Sequence, residues 1–279
     1  RGQLRASELL DGQGFARKVE QAYAAMFNAW EVGERTAEAE PDPARMQMLI
    51  GLFFQNRLEE GVAAVRQLTV NYPRYGEGWK LLGAFLQQMG LAQEAMQAKQ
   101  RAVALLPNDV EAHFNLGLAY VALGDHAEAE AAFRHVVVLQ PQDAQALLHL
   151  GNALAAQDKL EEAEVAYRGT LSADPALVDA MVNLGGVLER MDRVEDARAI
   201  LQRALQLQPG LASIHHNLGT LERRIGNVVQ AEQLYRRALE LQPNHGHIWE
   251  NLLFILNYHP DKSAEEIYAA YEEYEERFG

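Results

Sequence analysis

Six of the nine prolines stand 34 residues apart, at Pro73, Pro107, Pro141, Pro175, Pro209 and Pro243. Proline fixes φ and lacks a backbone N–H, so it ends a helix wherever it falls in the interior of one. Its return at one spacing therefore breaks the chain at the same point of every period. A period of this length marks an array of like supersecondary units, here helical pairs, each burying its apolar face on its neighbours. An array of that kind is expected to act as a surface that binds.

Other columns keep the same register. Gly83, Gly117, Gly151, Gly185 and Gly219 each follow a leucine, and Ala95, Ala129, Ala163, Ala197 and Ala231 stand 12 residues further on. A larger side chain follows four later in Phe133, Tyr167, Leu201 and Tyr235. This pattern predicts two antiparallel helices per unit, with small residues where the backbones approach and bulky ones filling the space beside them. Between the two helices the register holds Gly90, Gly124, Asp158, Asp192 and Gly226, with Asn56 in an earlier, imperfect unit. Glycine, asparagine and aspartate are the residues that best tolerate the left-handed conformation ending a helix. Gly185-Gly186 falls inside a predicted helix and is read as a mark of close packing, not as a phosphate loop.

Composition narrows the function classes. Asp and Glu total 39 against 25 Lys and Arg, a net charge of −14, which disfavours nucleic acid and anionic membrane surfaces as partners. Cysteine is absent, which excludes disulfides, thiolate nucleophiles and Cys-ligated zinc and fits a reducing compartment. No apolar run approaches the roughly 18 residues of a membrane span, and no signal peptide is visible. The chain opens at Arg1, so its natural start can lie upstream; a cytoplasmic location is the expectation.

These columns resemble the tetratricopeptide repeat family, whose signature runs W-x-x-L-G-x-x-Y, A-x-x-x-F and P. Residues 110–141 supply His113, Leu116, Gly117, Tyr120, Ala129, Phe133 and Pro141; residues 76–107 supply Trp79, Leu82, Gly83, Ala95 and Pro107, with Lys99 in place of the aromatic. The resemblance implies an all-α, right-handed superhelical solenoid of helix-turn-helix repeats with helical flanks. Its array would span 44–257: six repeats, the first degenerate because Leu49 replaces glycine, and a partial seventh with Trp249, Asn251 and Leu252. Leu253 and Pro260 then depart from the pattern and the array stops.

The ends carry a second likeness. Phe15, Val19, Tyr23, Met26, Phe27 and Trp30 form one apolar helical face within an N-terminal segment, 1–31, and an acidic stretch with two prolines, 32–43, reads as a linker. At the other end, within 258–279, Ser263-Ala-Glu-Glu266 is a capping-box pattern opening a helix with Ile267, Tyr268, Tyr271 and Tyr274. Asn251 to Pro260 with the segment that follows is similar to the junction between repeats and catalytic domain in bacterial O-GlcNAc transferase-like (SPINDLY) proteins. Leu4 to Trp30 looks like the last helix of that catalytic domain. What this implies is a glycosyltransferase-associated module whose catalytic domain is absent from these residues.

The residue preceding each Leu-Gly pair is expected to face the inside of the superhelix: Leu81, Asn115, His149, Asn183, Asn217 and, in the partial unit, Asn251. Asparagine is a mediocre helix former, and each amide offers donors and an acceptor for an extended peptide's main chain. The O-GlcNAc transferase family is similar here. Asn115, His149, Asn183, Asn217 and Asn251 are therefore the candidate peptide-binding residues; the alternative is that each asparagine bonds its neighbour and keeps the units in register. His113 and His215 occupy the tryptophan slot and are read as packing residues. His245, His247 and His259 lack partners at ligand spacing, so no metal and no cofactor is expected. No nucleophile elbow or catalytic constellation is present, and Glu128-Ala-Glu130 is read as a solvated face. A clamp for chaperone tails is set aside, because Lys80 and Asn115 have no matching residues at Ala84 and Gln145. The function expected is recruitment of a protein or extended peptide in a concave groove, without enzymatic turnover by this chain; the alternative is a structural scaffold that self-associates.

Overall fold

The computed structural model describes residues 40–279, and the N-terminal segment with all but the end of the expected linker lies outside them. Among the described residues every regular element is a helix. They run as α1 (Pro43–Phe54), α2 (Leu58–Asn71), α3 (Gly76–Gln88), α4 (Ala92–Leu105), α5 (Val110–Leu123), α6 (His126–Leu139) and α7 (Ala144–Ala156). The order continues with α8 (Leu160–Ala173), α9 (Val178–Arg190), α10 (Val194–Leu207), α11 (Ala212–Arg224), α12 (Val228–Leu241), α13 (Gly246–Leu256) and α14 (Ala264–Phe278). They fall into two compact units that divide between Ala119 and Tyr120, within α5.

The turn residues behave as their chemistry requires. Gly90, Gly124 and Gly226 have φ of 77°, 80° and 83°, and Asn56, Asp158 and Asp192 have 57°, 62° and 62°. Each supplies the left-handed step that reverses the chain between the two helices of a hairpin. The prolines then close each hairpin and do something further. Trp79 donates its ring N–H to the Pro73 carbonyl at 3.0 Å, and Trp249 donates to Pro243 at 2.8 Å. His113 and His215 repeat the contact with Pro107 and Pro209 at 3.0 and 2.9 Å through Nε2. A carbonyl only accepts, so both histidines carry their proton on Nε2. With 7% and 8% exposure, they are packing residues standing in for the indole.

In the C-terminal unit the glycine column sets how closely two helices pack. A Cβ added to Gly151 would lie 2.6 Å from the Tyr167 ring, at Gly185 2.7 Å from Leu201 Cγ, and at Gly219 2.8 Å from the Tyr235 ring. Tyr167, Leu201 and Tyr235 are in turn among the largest fully buried side chains. Gly186 corrects the expectation for the pair: nothing lies within 4 Å of its missing side chain, so only Gly185 is a close-packing glycine. The end of this unit is closed by α14, whose capping box has Glu266 N–H donating to Ser263 Oγ at 3.2 Å and Ser263 N–H donating to Glu266 Oε2 at 2.9 Å. Ala270 joins the core built on Tyr235, Trp249 and Leu252, and Ile267 and Tyr274 pack against it.

Charged columns tie successive hairpins together. Glu130 is no solvated residue: its side chain is only 12% exposed, with Arg134 at 2.8 Å and Lys159 of the next hairpin at 2.7 Å. Burial pushes its carboxyl up, but the bonds from Lys159, Arg134 and Gln157 outweigh that and hold it below the usual range. Glu164 repeats the arrangement with Arg168 and Arg193. On the hairpin turns, Arg190 reaches Asp158 at 2.6 Å and Arg224 reaches Asp192 at 3.1 Å.

The N-terminal unit packs Leu49, Val65, Leu68, Phe85 and Leu86 around the same hairpin geometry. Its departure is Lys99, which fills the aromatic slot at 5% exposure. Its ammonium donates to the Gln87 side chain and to the Asn115 carbonyl, the latter at 3.1 Å. Both partners are neutral, and burial pulls the lysine below its ordinary 10.5.

Two stability outcomes follow from these contacts. Gly185→Leu should lower the melting temperature by the equivalent of about 1–3 kcal/mol through overpacking against Leu201; an unchanged melting curve would contradict the close approach. Lys99→Met should raise stability at neutral pH, because it removes a buried charge that has only neutral partners; a lower melting temperature would contradict this. In the wild type the unfolded chain holds this proton longer than the folded one, so stability should climb with pH in the window from the lowered pKa up to 10.5. The Met variant should lose that climb, as melts across alkaline pH would show.

Candidate functional site

The period of 34 returns the same helix face in each hairpin of the C-terminal unit. On α9, Asn183, Gly186 and Arg190 follow one another at spacings of three and four, and on α11 His216, Thr220 and Arg223 do the same, so each set lines one side of its helix. With Asn152 on α7 and His247 and Asn251 on α13, these faces line an open groove of about 630 Å³. A cleft of about 670 Å³ lies on α6 to α8, where Leu147 takes the tryptophan slot and Gly169 leaves room, but its lining is mainly apolar and lacks a recurring polar column. The polar groove is the better candidate because its hydrogen-bonding groups repeat with the fold.

Three of the five candidate residues meet there. Asn183 donates through Nδ2 to Asn152 Oδ1 at 2.8 Å, and Asn217 donates to the Val182 carbonyl at 3.3 Å. Asn251 donates to the His247 carbonyl at 3.0 Å, with His216 Nε2 at 3.1 Å and His247 Nε2 at 3.4 Å from the same nitrogen. The amides of Asn183 and Asn217, and that of Asn251 at His216, thus bond the preceding hairpin, which serves register. A primary amide has two N–H donors and an oxygen with two lone pairs, so the bonds that Asn183 makes to Asn152, and that Asn217 makes to Val182 and His216, still leave capacity for a ligand. The other two candidates lie elsewhere. Asn115 belongs to the N-terminal unit. His149 is half-buried, stacked on Phe133 at 5.3 Å with an 18° interplanar angle, and is not among the residues lining the groove. Burial lowers its pKa.

Asn152, His216, Thr220 and Arg223 also line the groove and were not among the candidates. For two of them a signal stands in the sequence. Tyr167 donates its hydroxyl to Asn152 Oδ1 at 2.8 Å, and Tyr235 shares a 3.2 Å hydrogen bond with Thr220. In the column just after the glycine, polar residues accompany tyrosine, whereas Leu118 accompanies Phe133 and Gly186 accompanies Leu201. A buried hydroxyl requires a partner, and the choice of Asn152 and Thr220 follows from it.

Among the described residues no group of three or more His, Cys, Asp or Glu side chains could hold a metal ion. His259 instead packs beside Glu232, its Nε2 3.1 Å from the carboxylate, while the Asp261 N–H donates to its Nδ1. In the N-terminal unit Lys80 is surrounded by Glu77, Asp109 and Glu111 at 3.0, 3.1 and 2.9 Å, so the cation that a chaperone clamp would use is already neutralised. No helix among the described residues is long and apolar enough to cross a membrane.

Models of the tetratricopeptide repeat match residues 176–244 and, in two overlapping stretches, 86–144 and 114–177. Together they span more than half of the chain, which belongs to the tetratricopeptide repeat family. Neither end that resembles a transferase falls within these matches. No curated protein matches the chain. Among solved structures it is similar to MamA, at 24% identity over 58% of this chain and 95% of that one, with a TM-score of 0.55. It is similar to YrrB, described as a TPR protein with an unusual peptide-binding site, at 16% identity over 67% and 96%, TM-score 0.57. It also resembles PilF of Pseudomonas aeruginosa, at 18% identity over 71% and 88%, TM-score 0.58. At such identities the likeness is one of fold.

The groove should carry a pH signature. Burial first, then the neighbouring His247 and His245, depress His216 to about 4, against an upward pull from its bond to Asn217. The unfolded chain takes up this proton near 6.5 while the folded one does not, so stability is full above 6.5 and falls as pH drops toward 4. Melting temperatures over that range should fall less steeply in His216→Gln than in the wild type; equal slopes would contradict a half-buried, neutral imidazole.

Proposed function

We propose that the chain is a protein-interaction module whose C-terminal groove holds an extended polypeptide by its main chain. The observation that carries this reading is the set of asparagine amides, one per hairpin at Asn183, Asn217 and Asn251, lining one open groove. Main-chain amides of an extended peptide present donors and acceptors regardless of sequence, and a ladder of side-chain amides answers both. The fold shared with YrrB, a TPR protein with a peptide-binding site, supports the same use of the array. Nothing in the groove assembles a nucleophile, base and oxyanion donors, which favours capture over turnover.

The finer reading, in which this module serves a sugar-transferring domain, rests on the likeness of the two ends to O-GlcNAc transferase-like proteins. It predicts that such a domain adjoins the array in the parent protein, and sequencing the flanks of the parent gene tests it. The groove proposal stands without it.

Panning phage-displayed random peptides on the purified chain should recover binders. Their affinity should drop about tenfold or more in an Asn183→Ala/Asn217→Ala/Asn251→Ala variant, since each hydrogen bond contributes about 0.5–1.5 kcal/mol. Binding is compared at a temperature where circular dichroism shows both proteins folded, because the same amides also tie hairpins together. Binders held equally well by the triple variant would sink the proposal. Light scattering across a concentration series separates it from a self-associating scaffold, which would gain mass with concentration in the absence of peptide.

A further inference from the structure

Resting on the groove reading, we infer that the peptide it selects carries an acidic side chain, received by Arg223. Two arginines line the groove, Arg190 and Arg223, in a chain that holds 14 more carboxylates than cations (39 against 25) to pair with them. The residues around Arg223 follow the common pattern. Glu222 pairs with Arg198 at 3.1 Å, and Arg224 pairs with Glu189 at 2.6 Å and with Asp192. Arg190, the other arginine lining the groove, is held by Asp158. Arg223 makes no ion pair with any described residue, and its buried Nε has no hydrogen-bond partner. The groove's own carboxylate, Glu189, is already committed to Arg224, whose side chain is not among those lining it.

The setting of Arg223 suits a receptor for a carboxylate. Its guanidinium carbon lies over the Phe254 ring, 5.6 Å from the centroid. A cation–π contact of this kind helps to hold the guanidinium in place beside the groove. With Nε covered, the Nη edge is left to take a carboxylate, and two parallel N–H···O bonds of that kind are about twice as strong as neutral ones. Thr220, Asn217, His216 and Asn251 line the same stretch and offer uncharged hydrogen-bonding groups beside it. His216 adds no second cation near neutral pH, since burial holds its pKa at about 4. The arrangement therefore reads one carboxylate flanked by main chain, not a run of acidic residues, which the chain's net charge of −14 would repel.

The test uses peptides displayed with their carboxyl ends fused to the coat protein, so that only side chains supply the anion. Sequences recovered on the wild type and lost on the asparagine triple variant define groove binders, and these should be enriched in Asp or Glu at one position. Panning on Arg223→Gln should abolish that enrichment. For a recovered peptide, changing its acidic residue to the amide should weaken binding to the wild type about tenfold, and should have little further effect on Arg223→Gln. Groove binders without acidic enrichment, or with enrichment that survives Arg223→Gln, would overturn the carboxylate assignment while leaving the groove reading intact. Failure to recover any groove-dependent binder would overturn both.

Discussion

The C-terminal unit depends on helices that touch backbone to side chain. At Gly151, Gly185 and Gly219 the absent Cβ admits the flank of Tyr167, Leu201 or Tyr235 to within 3 Å of where that atom would stand. The consequence runs outward from the contact. A large buried side chain can sit only where the opposite helix gives way, and a tyrosine in that place brings a hydroxyl that must be satisfied at the helix surface. Asn152 and Thr220 satisfy it, and both then line the groove. Core packing and groove chemistry are two sides of the same residue choice.

The proline and tryptophan columns show a similar economy. The proline that cannot continue a helix still presents a carbonyl, and an aromatic N–H six residues later takes it in four hairpins. Indole and imidazole are interchangeable here because each provides a flat apolar body and one N–H. Leu147 and Met181 occupy the slot without an N–H to offer, and at Leu147 an apolar cleft opens.

Periodic features were legible in the sequence because backbone geometry selects residue types there. The left-handed turns at Asn56, Asp158 and Asp192, the packing role of His113 and His215, and the Ser263 capping box all follow from local chemistry. The groove was half legible: a column of asparagines pointed to Asn183, Asn217 and Asn251, but it also admitted His149, which stacks on Phe133. Features that depend on pairing across hairpins stayed hidden. Glu130 looked like any surface glutamate until Lys159 of the next hairpin closed on it, and Gly186 looked like a packing glycine until its open surroundings were seen. Arg223 is set apart as the groove-lining arginine without an ion pair, and a missing counterion there is visible only once every neighbour's partner is known.

Two of the hairpin turns have a second occupation. Asp158 and Asp192 adopt the same left-handed backbone as Gly90, Gly124 and Gly226, yet each also receives an arginine from the hairpin that follows. Glycine there would preserve the chain reversal and sever the link. In a linear array, where cooperativity resides in nearest-neighbour coupling, even exposed ion pairs below about 1 kcal/mol bias which seams open first. The stretch from α7 to α11 is doubly laced in this way, so fraying that enters from the α13 end should stall at α11.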